Sequence, residues 1–597
     1  MAKSGGSWNR FEYARIHKKL ASSARGVGVA STKHAHEFVV QRWKDAREVR
    51  SSIGIWLVAV GILIIAVIAQ SILARGVYSE TSNMRGGTYA EGLHGRIDTL
   101  NPLFASTQAE QSAGRLLFSS LFNYDESGEL SADLATGYKV SEDGKTYTVT
   151  VRDDALWHDG NPVTVDDVIY TVELMKDAAT GSPLAASWSD IEVEKANAES
   201  VAFKLSSAYA PFPHALTFSV LPSHILKGVS PGMLREHSFS SEPVGSGPFT
   251  FRFIQQVQGA ETHSVAHLRQ NTAYYGGVVK LDRLQLHAYE SKESLAEGLR
   301  TQAINAASGI ALESVHSFED NRRFHVQSLP VRAGVYTLLN TKSELLKERA
   351  VRKALQLGTN VDTALEVLPW KTKRLDGPFI EGQVETTAQK PGYNLETAKK
   401  LLDEADWKLG SDNVRTKDGT PLEIRLVYLK NTDYEGIANE LVRQWGELGV
   451  RVQTQSIDAS DPSQNFVGSI LRPRNFDVLL HELTIGADPD IYAYWHSSQA
   501  SARGLNFTGF SDDIGDDALA SARASRDESL RKAKYESFLE RWYAEAPAIG
   551  LYQSAVPYIT TGRATSVDGG ATYVSETDRY RNVVDWTVRS GMVFKTP

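Results

Sequence analysis

The stretch Thr484-Ile485-Gly486-Ala487-Asp488-Pro489-Asp490-Ile491-Tyr492-Ala493-Tyr494-Trp495 gathers the side chains best suited to holding a ligand. Asp488 and Asp490 offer charge-assisted acceptors for an ammonium group, or else caps for the helix that follows. Tyr492, Tyr494 and Trp495 offer aromatic surface that either lines a cleft or packs in a helix core. Trp157-His158-Asp159-Gly160 sets an imidazole beside a carboxylate, the material of acid–base chemistry or metal binding. Its continuation favours a turn instead, because Asp159-Gly160-Asn161-Pro162 is strong turn chemistry and Thr164 with Asp167 forms a capping box. Gly245-Ser246-Gly247-Pro248 lacks the glycine at 244 that a nucleophile elbow requires, Val244 standing there, and reads as a tight, φ-permissive backbone passage.

No catalytic constellation emerges. The zinc-binding HExxH pattern is absent at both His-Glu pairs, His36-Glu37 and His481-Glu482, and there is no phosphate-cradling Gly-x4-Gly-Lys loop. The chain has no cysteine, which removes disulfides, thiolate metal sites, a Cys nucleophile and lipid acylation. His158, His481 and His496 keep a metal-chelate ligand among the alternatives, without a paired His motif to support it. No catalytic residue, cofactor or resident metal is expected.

The candidates sit on alternating strand and helix signals. Tyr147–Val151 reads as a strand, and helical spacing follows the Thr164 cap. Strands are expected over Leu281–Tyr289 and Val335–Asn340, each followed by a helix, Ser291–Thr301 and Lys347–Leu357. Asn394 caps a helix with Ala398, Leu401, Leu402 and Ala405 on one face. Ile424–Leu429, Tyr434–Leu448 and Val450–Ile457 form a βαβ pattern closed by Gly449. Phe476–Leu480 adds a buried strand directly before the candidate loop, and loops at strand ends are where α/β folds place ligands. Ser529–Ala544 adds a long amphipathic helix.

One segment stands apart. Ile53–Ala74 is an apolar run without a charge, long enough for a helix to cross a hydrocarbon core about 30 Å thick. Residues 1–50 hold eleven Lys or Arg against four Asp or Glu, whereas only Arg75 and Arg85 follow closely on the other side. Lys/Arg excess marks the cytoplasmic side, so the C-terminal body is expected outside the cell membrane, tethered by an uncleaved anchor, with a secretory signal cleaved near Ala69-Gln70-Ser71 as the alternative. The net charge is −8, leaving a body of about −15 once the +7 arm is removed. An acidic body argues against nucleic acid, whose binding rests on cationic contacts to phosphate.

An ordered set of motifs then resembles the family 5 solute-binding proteins, the extracytoplasmic receptors of peptide, dipeptide and nickel ABC importers. The set runs from Thr99-Leu100-Asn101-Pro102-Leu103 through Ser141–Tyr147, Trp157–Thr164 and Gly245–Phe249. It continues with Arg349–Leu355, Tyr393-Asn394, Ala487-Asp488-Pro489-Asp490 and Leu551-Tyr552. The resemblance implies an α/β, two-lobed periplasmic-binding-protein-like fold with an extra inserted domain, here preceded by one transmembrane helix. By analogy, domain I comprises 85–122, 243–335 and 550–597, domain II is the insert 123–242, and domain III is 336–549; the segments near Asn340 and Ala548 become candidate hinges. The implied function is capture of an oligopeptide by hinge closure and delivery to ABC permease subunits, by a monomeric ectodomain. Peptide-binding relatives often hold the α-amine with an aspartate four residues before the loop proline, a position that is Ile485 here. Asp488 or Asp490 would take that role, and capped peptides, glycans or metal chelates stay open as ligands. Asn101 and Trp157, inside the matching motifs, complete the candidate ligand contacts. A sensor or interaction protein of the same fold, without import, is the alternative.

Overall fold

The computed structural model describes residues 50–594 apart from 259–260, 369, 460, 462, 563 and 568. The basic arm before Arg50 lies outside the described residues. Arg50–Tyr78 is a single helix, and its stretch Arg50–Leu73 has a mean hydropathy of 2.8 with none of it buried. By length and composition it can cross a membrane.

Residues 83–590 form a separate compact unit. Its backbone is one large mixed sheet built from β1 (Thr88–His94), β2 (Phe249–Val257), β3 (His263–Gln270), β4 (Arg283–Tyr289), β5 (Ala306–Ser308), β6 (Phe324–Leu339), β7 (Glu423–Leu429), β8 (Arg451–Ile457), β9 (Val478–Thr484) and β10 (Ala548–Thr561). The order is β8-β7-β9-β6-β10-β5-β1-β4-β3-β2. β1, β4 and β5 run parallel in a first lobe, and β7, β8 and β9 run parallel in a second. β6 and β10 pair with each other from Phe324↔Thr561 to Leu338↔Ala548, so this ribbon belongs to both lobes. A separate four-stranded antiparallel sheet is made by Ala135–Val140, Thr146–Val151, Ser200–Lys204 and Glu192–Lys195.

Most elements form where their patterns place them. Thr164 and Asp167 close a capping box on the helix Val165–Lys176, and Asn394 caps Leu395–Glu404. The strand expected at 335–340 is instead the sixteen-residue β6, whose first half is masked in sequence by Gln327, Ser328 and Pro330. The ribbon is irregular where the lobes meet. Pro330 pairs with Ala555, but the next partners are Gly334 and Gln553, so β6 carries two extra residues there; β10 carries one between Tyr552 and Gly550. The crossing therefore lies at residues 330–336. Asn340 and Ala548 are not at the crossing: Asn340 is buried in the second lobe, donating from Nδ2 to Phe476 O at 2.9 Å, and Ala548 is wholly buried.

The first lobe is closed by its C-terminal segment. Arg579 and Glu91, both with fully buried side chains, pair at 2.9 Å, and Tyr580 Oη donates to the same carboxylate at 2.5 Å. The full pairing of this charge is what makes its burial tolerable.

The two glycine-bearing motifs turn out to be one structure. His158 Nδ1 accepts from Gly245 N at 3.1 Å while Nε2 donates to Gly247 O at 3.1 Å, fixing a neutral imidazole. Burial pushes its pKa down to about 4. Neither Gly245 nor Gly247 has a positive φ, contrary to the expectation of a φ-permissive passage. They are needed for close approach, since a Cβ on Gly245 would lie 1.8 Å from Leu117 O. Gly245→Ala is expected to destabilise the body by about 2–3 kcal/mol, read as a lowered unfolding midpoint.

Candidate functional site

In both lobes the parallel strands aim their carboxyl ends at the junction, the position where open α/β sheets place ligands. Two recesses open there, on either side of the β6/β10 ribbon.

The larger, about 630 Å³, has Pro330, Arg332 and Gln553 at the ribbon, Ser127 and Thr572 on one wall, and Gln383, Asp488 and Arg531 on the other. Arg332 organises it. The bulge carries its backbone away from β10, so that its N–H donates to Tyr573 O at 3.0 Å and its carbonyl accepts from Ile485 and Gly486. Its guanidinium donates to Ala487 O at 2.6 Å and to Ser127 O at 3.2 Å. One side chain thus ties the candidate loop to the segment at Ser127. Gln383 Nε2 holds the loop from the other flank, donating to Gly486 O at 2.8 Å.

Both loop aspartates are already paired. Arg531 Nη2 meets Asp488 Oδ1 at 2.5 Å, with side chains 17% and 11% exposed. Arg523 Nε meets Asp490 Oδ2 at 2.9 Å and lies 4.2 Å above the Tyr492 ring and 4.9 Å from that of Tyr209. Asp488 lines the larger recess; Asp490 holds Arg523 against Tyr209. Arg531 Nε is buried without a hydrogen-bond partner. It can donate to a ligand carbonyl or carboxylate.

The other sequence candidates lie mostly in packing positions. Tyr492 stacks on His496 with centroids 4.1 Å apart, and Tyr494 Oη donates to Thr484 O at 2.6 Å. Trp495 is fully buried against Tyr336 and Trp542. Trp157 is buried and donates from Nε1 to Asp167 at 3.3 Å. Asn101 is fully buried, accepting from Leu103 N and donating to Ser240, so it shapes its own turn. None of these three reaches either recess, because each is enclosed by the core or satisfied locally.

The second recess, about 450 Å³, lies at the carboxyl ends of β4, β5 and β7. Its walls include Glu293 and Glu313 from the first lobe, Lys430 and Asp433 from the second, and Tyr552 and Ser554 on the ribbon. Thr432 Oγ1 donates to Glu313 Oε1 at 2.9 Å, a direct bridge across the recess. Asp433, in the first turn of the helix Thr432–Glu447, was not singled out from sequence because a first-turn acid reads as dipole compensation. Here burial outweighs the dipole and pushes its carboxyl pKa up to about 6.

Residues 129–504 match the family described as bacterial extracellular solute-binding proteins, family 5. The chain belongs to that family. The family 5 chain is 28% identical over 493 residues to the oligopeptide-binding protein AppA of Bacillus subtilis, covering 78% of this chain and 86% of that protein. It is 27% identical over 481 residues to Protein XP55 of Streptomyces lividans, covering 77% and 83%. The solved AppA, in complex with a nonapeptide, superposes with a TM-score of 0.67 at 24% identity, over 85% of this chain and all of that one. These similarities establish a two-lobed solute-binding fold. Family 5 proteins act outside the cytoplasm as solute receptors.

The two aspartate environments predict opposite stability effects. Arg531→Met strands a nearly buried Asp488 carboxylate and is expected to cost about 2–3 kcal/mol at pH 7. Asp433 has a raised pKa, so its ionised form burdens the folded state above pH 6 and not below pH 4. Asp433→Asn is therefore expected to stabilise the ligand-free protein by roughly 1–3 kcal/mol at pH 8, a gain that shrinks between pH 6 and pH 4. Denaturant titrations across that range check both.

Proposed function

We propose that this chain is a membrane-tethered, extracytoplasmic receptor that captures oligopeptides by lobe closure and presents them to an ABC permease. The supporting observation is the placement of both recesses at strand carboxyl ends, split by a ribbon that carries bulges in both strands where the lobes meet. A ligand bridging the walls favours the closed arrangement by contacting both lobes at once. Recognition is binding without chemistry: backbone amides and carbonyls at the loop ends meet the peptide main chain, which accepts many sequences. The segment 123–242 acts as the inserted domain II, flanked by domain I parts 85–122, 243–335 and 550–597, with domain III over 336–549. The helix Arg50–Tyr78 serves as an uncleaved anchor with its basic arm in the cytoplasm. That tether holds the receptor at high effective concentration near its permease. Asp488 keeps its place among the ligand contacts as the loop carboxylate that lines a recess, in exchange with Arg531.

Native mass spectrometry of the freshly purified full-length chain tests the ligand class. Released ligand is expected to appear as a ladder of mixed short peptides. A single non-peptide species would overturn the peptide assignment while leaving a solute receptor.

A further inference from the structure

Within the second recess one acceptor is conspicuously unused. Asp433 is 7% exposed and has no ion-pair partner; its buried Oδ1 has the Trp370 indole N–H beside it, close enough to favour the carboxylate but outside hydrogen-bond geometry. The loop aspartates that would otherwise take a ligand's amine are engaged by arginines at 2.5 and 2.9 Å. Asp433 has no such partner; Lys292, on the facing wall, approaches it electrostatically without forming an ion pair.

The surroundings are acidic from every side. Glu293 and Glu313 face the recess from the first lobe, and Glu482 from β9, where it accepts from Ser554 Oγ at 2.5 Å. With Asp433 that makes four carboxylates against two lysines, Lys292 and Lys430. Lys430 already lies 3.8 Å from Asp458. Tyr434 and Tyr552 complete the lining, both held neutral by burial. A buried, ionisable carboxylate without an ion-pair partner in an acidic recess favours a cation that also donates hydrogen bonds. A metal ion fits less well, since no group of three or more His, Asp or Glu among the described residues is arranged to ligate one.

We infer that Asp433 receives a primary ammonium group of the ligand, so that the receptor selects peptides by a positive charge seated between Asp433 and Glu313. This inference rests on the peptide-receptor reading and adds the charge class to it. Two sources carry that chemistry, the peptide α-amine and a lysine side chain.

Four pools of mixed hexapeptides separate the sources. They carry a free N-terminus with lysine, an acetylated N-terminus with lysine, a free N-terminus with norleucine, or an acetylated N-terminus with norleucine. Binding is measured calorimetrically on the full-length chain in detergent at pH 7.5. An ammonium-bearing pool is expected to bind about tenfold more tightly than the acetyl-norleucine pool. The single-ammonium pool that keeps the preference identifies the source. Asp433→Asn is expected to bind all four pools alike, at the affinity of the uncharged one.

Equal binding of all four pools by the native chain, or a preference that survives Asp433→Asn, overturns the inference while peptide binding stands. A chain that binds no pool overturns the peptide reading and the inference together. Should the variant fail to fold, the native chain gives the same answer by titration. Its charge preference is expected to fall severalfold between pH 7.5 and pH 5, where the ligand ammonium stays charged and Asp433 does not. A flat preference over that range contradicts the inference.

Discussion

The arrangement of this receptor depends on one antiparallel strand pair. β6 and β10 are paired end to end, yet their outer neighbours change along their length: β9 flanks β6 in the second lobe and β5 flanks β10 in the first. A regular ribbon of this length would join the lobes as a stiff sheet. The extra residues at 331–333 and at Leu551 break the ladder at the junction, where backbone groups then find other partners. Arg332 is the consequence with most reach. Freed from β10, its backbone holds Tyr573 and the 485–486 loop, and its guanidinium holds Ala487 and Ser127.

Two buried charges hold the frame through full pairing. They are Arg579, paired with Glu91, and Arg352, whose guanidinium is satisfied by Glu545 and the carbonyls of Leu346 and Lys347. Unpartnered buried polar atoms occur both in the core, as at Trp495 Nε1 and Tyr336 Oη, and at the recesses, where Arg531 Nε lines the larger one and Asp433 Oδ1 the smaller. A stable frame tolerates few such atoms, and a binding surface needs them.

Sequence patterning conveyed much of this fold and less of its site. Capping residues such as Thr164, Asn394 and Ser291, and the apolar periodicity behind them, are local signals that tertiary packing reinforced. β6 was half-hidden because Gln327, Ser328 and Pro330 break its apolar pattern, although they pair in regular register with a distant strand. The aromatic run from Tyr492 to Trp495 was ambiguous for a physical reason: a four-residue helix gives no periodicity to tell its buried face from its exposed one. Arg332 and Asp433 had no distinguishing local signature. An arginine inside an apolar strand and an acid in a helix's first turn acquire their roles only from what lies across the junction.

Lobe closure about the bulged ribbon is the central claim, and the absence of native cysteines makes it directly measurable. Spin labels at Glu297→Cys and Glu447→Cys place one probe on an exposed helix of each lobe. Pulsed dipolar spectroscopy on the full-length chain then reports their separation with and without a saturating peptide pool. A shift from a longer or broad distribution to a shorter, narrower one on peptide addition is the predicted result. A peptide that binds while the distribution stays unchanged would contradict capture by closure.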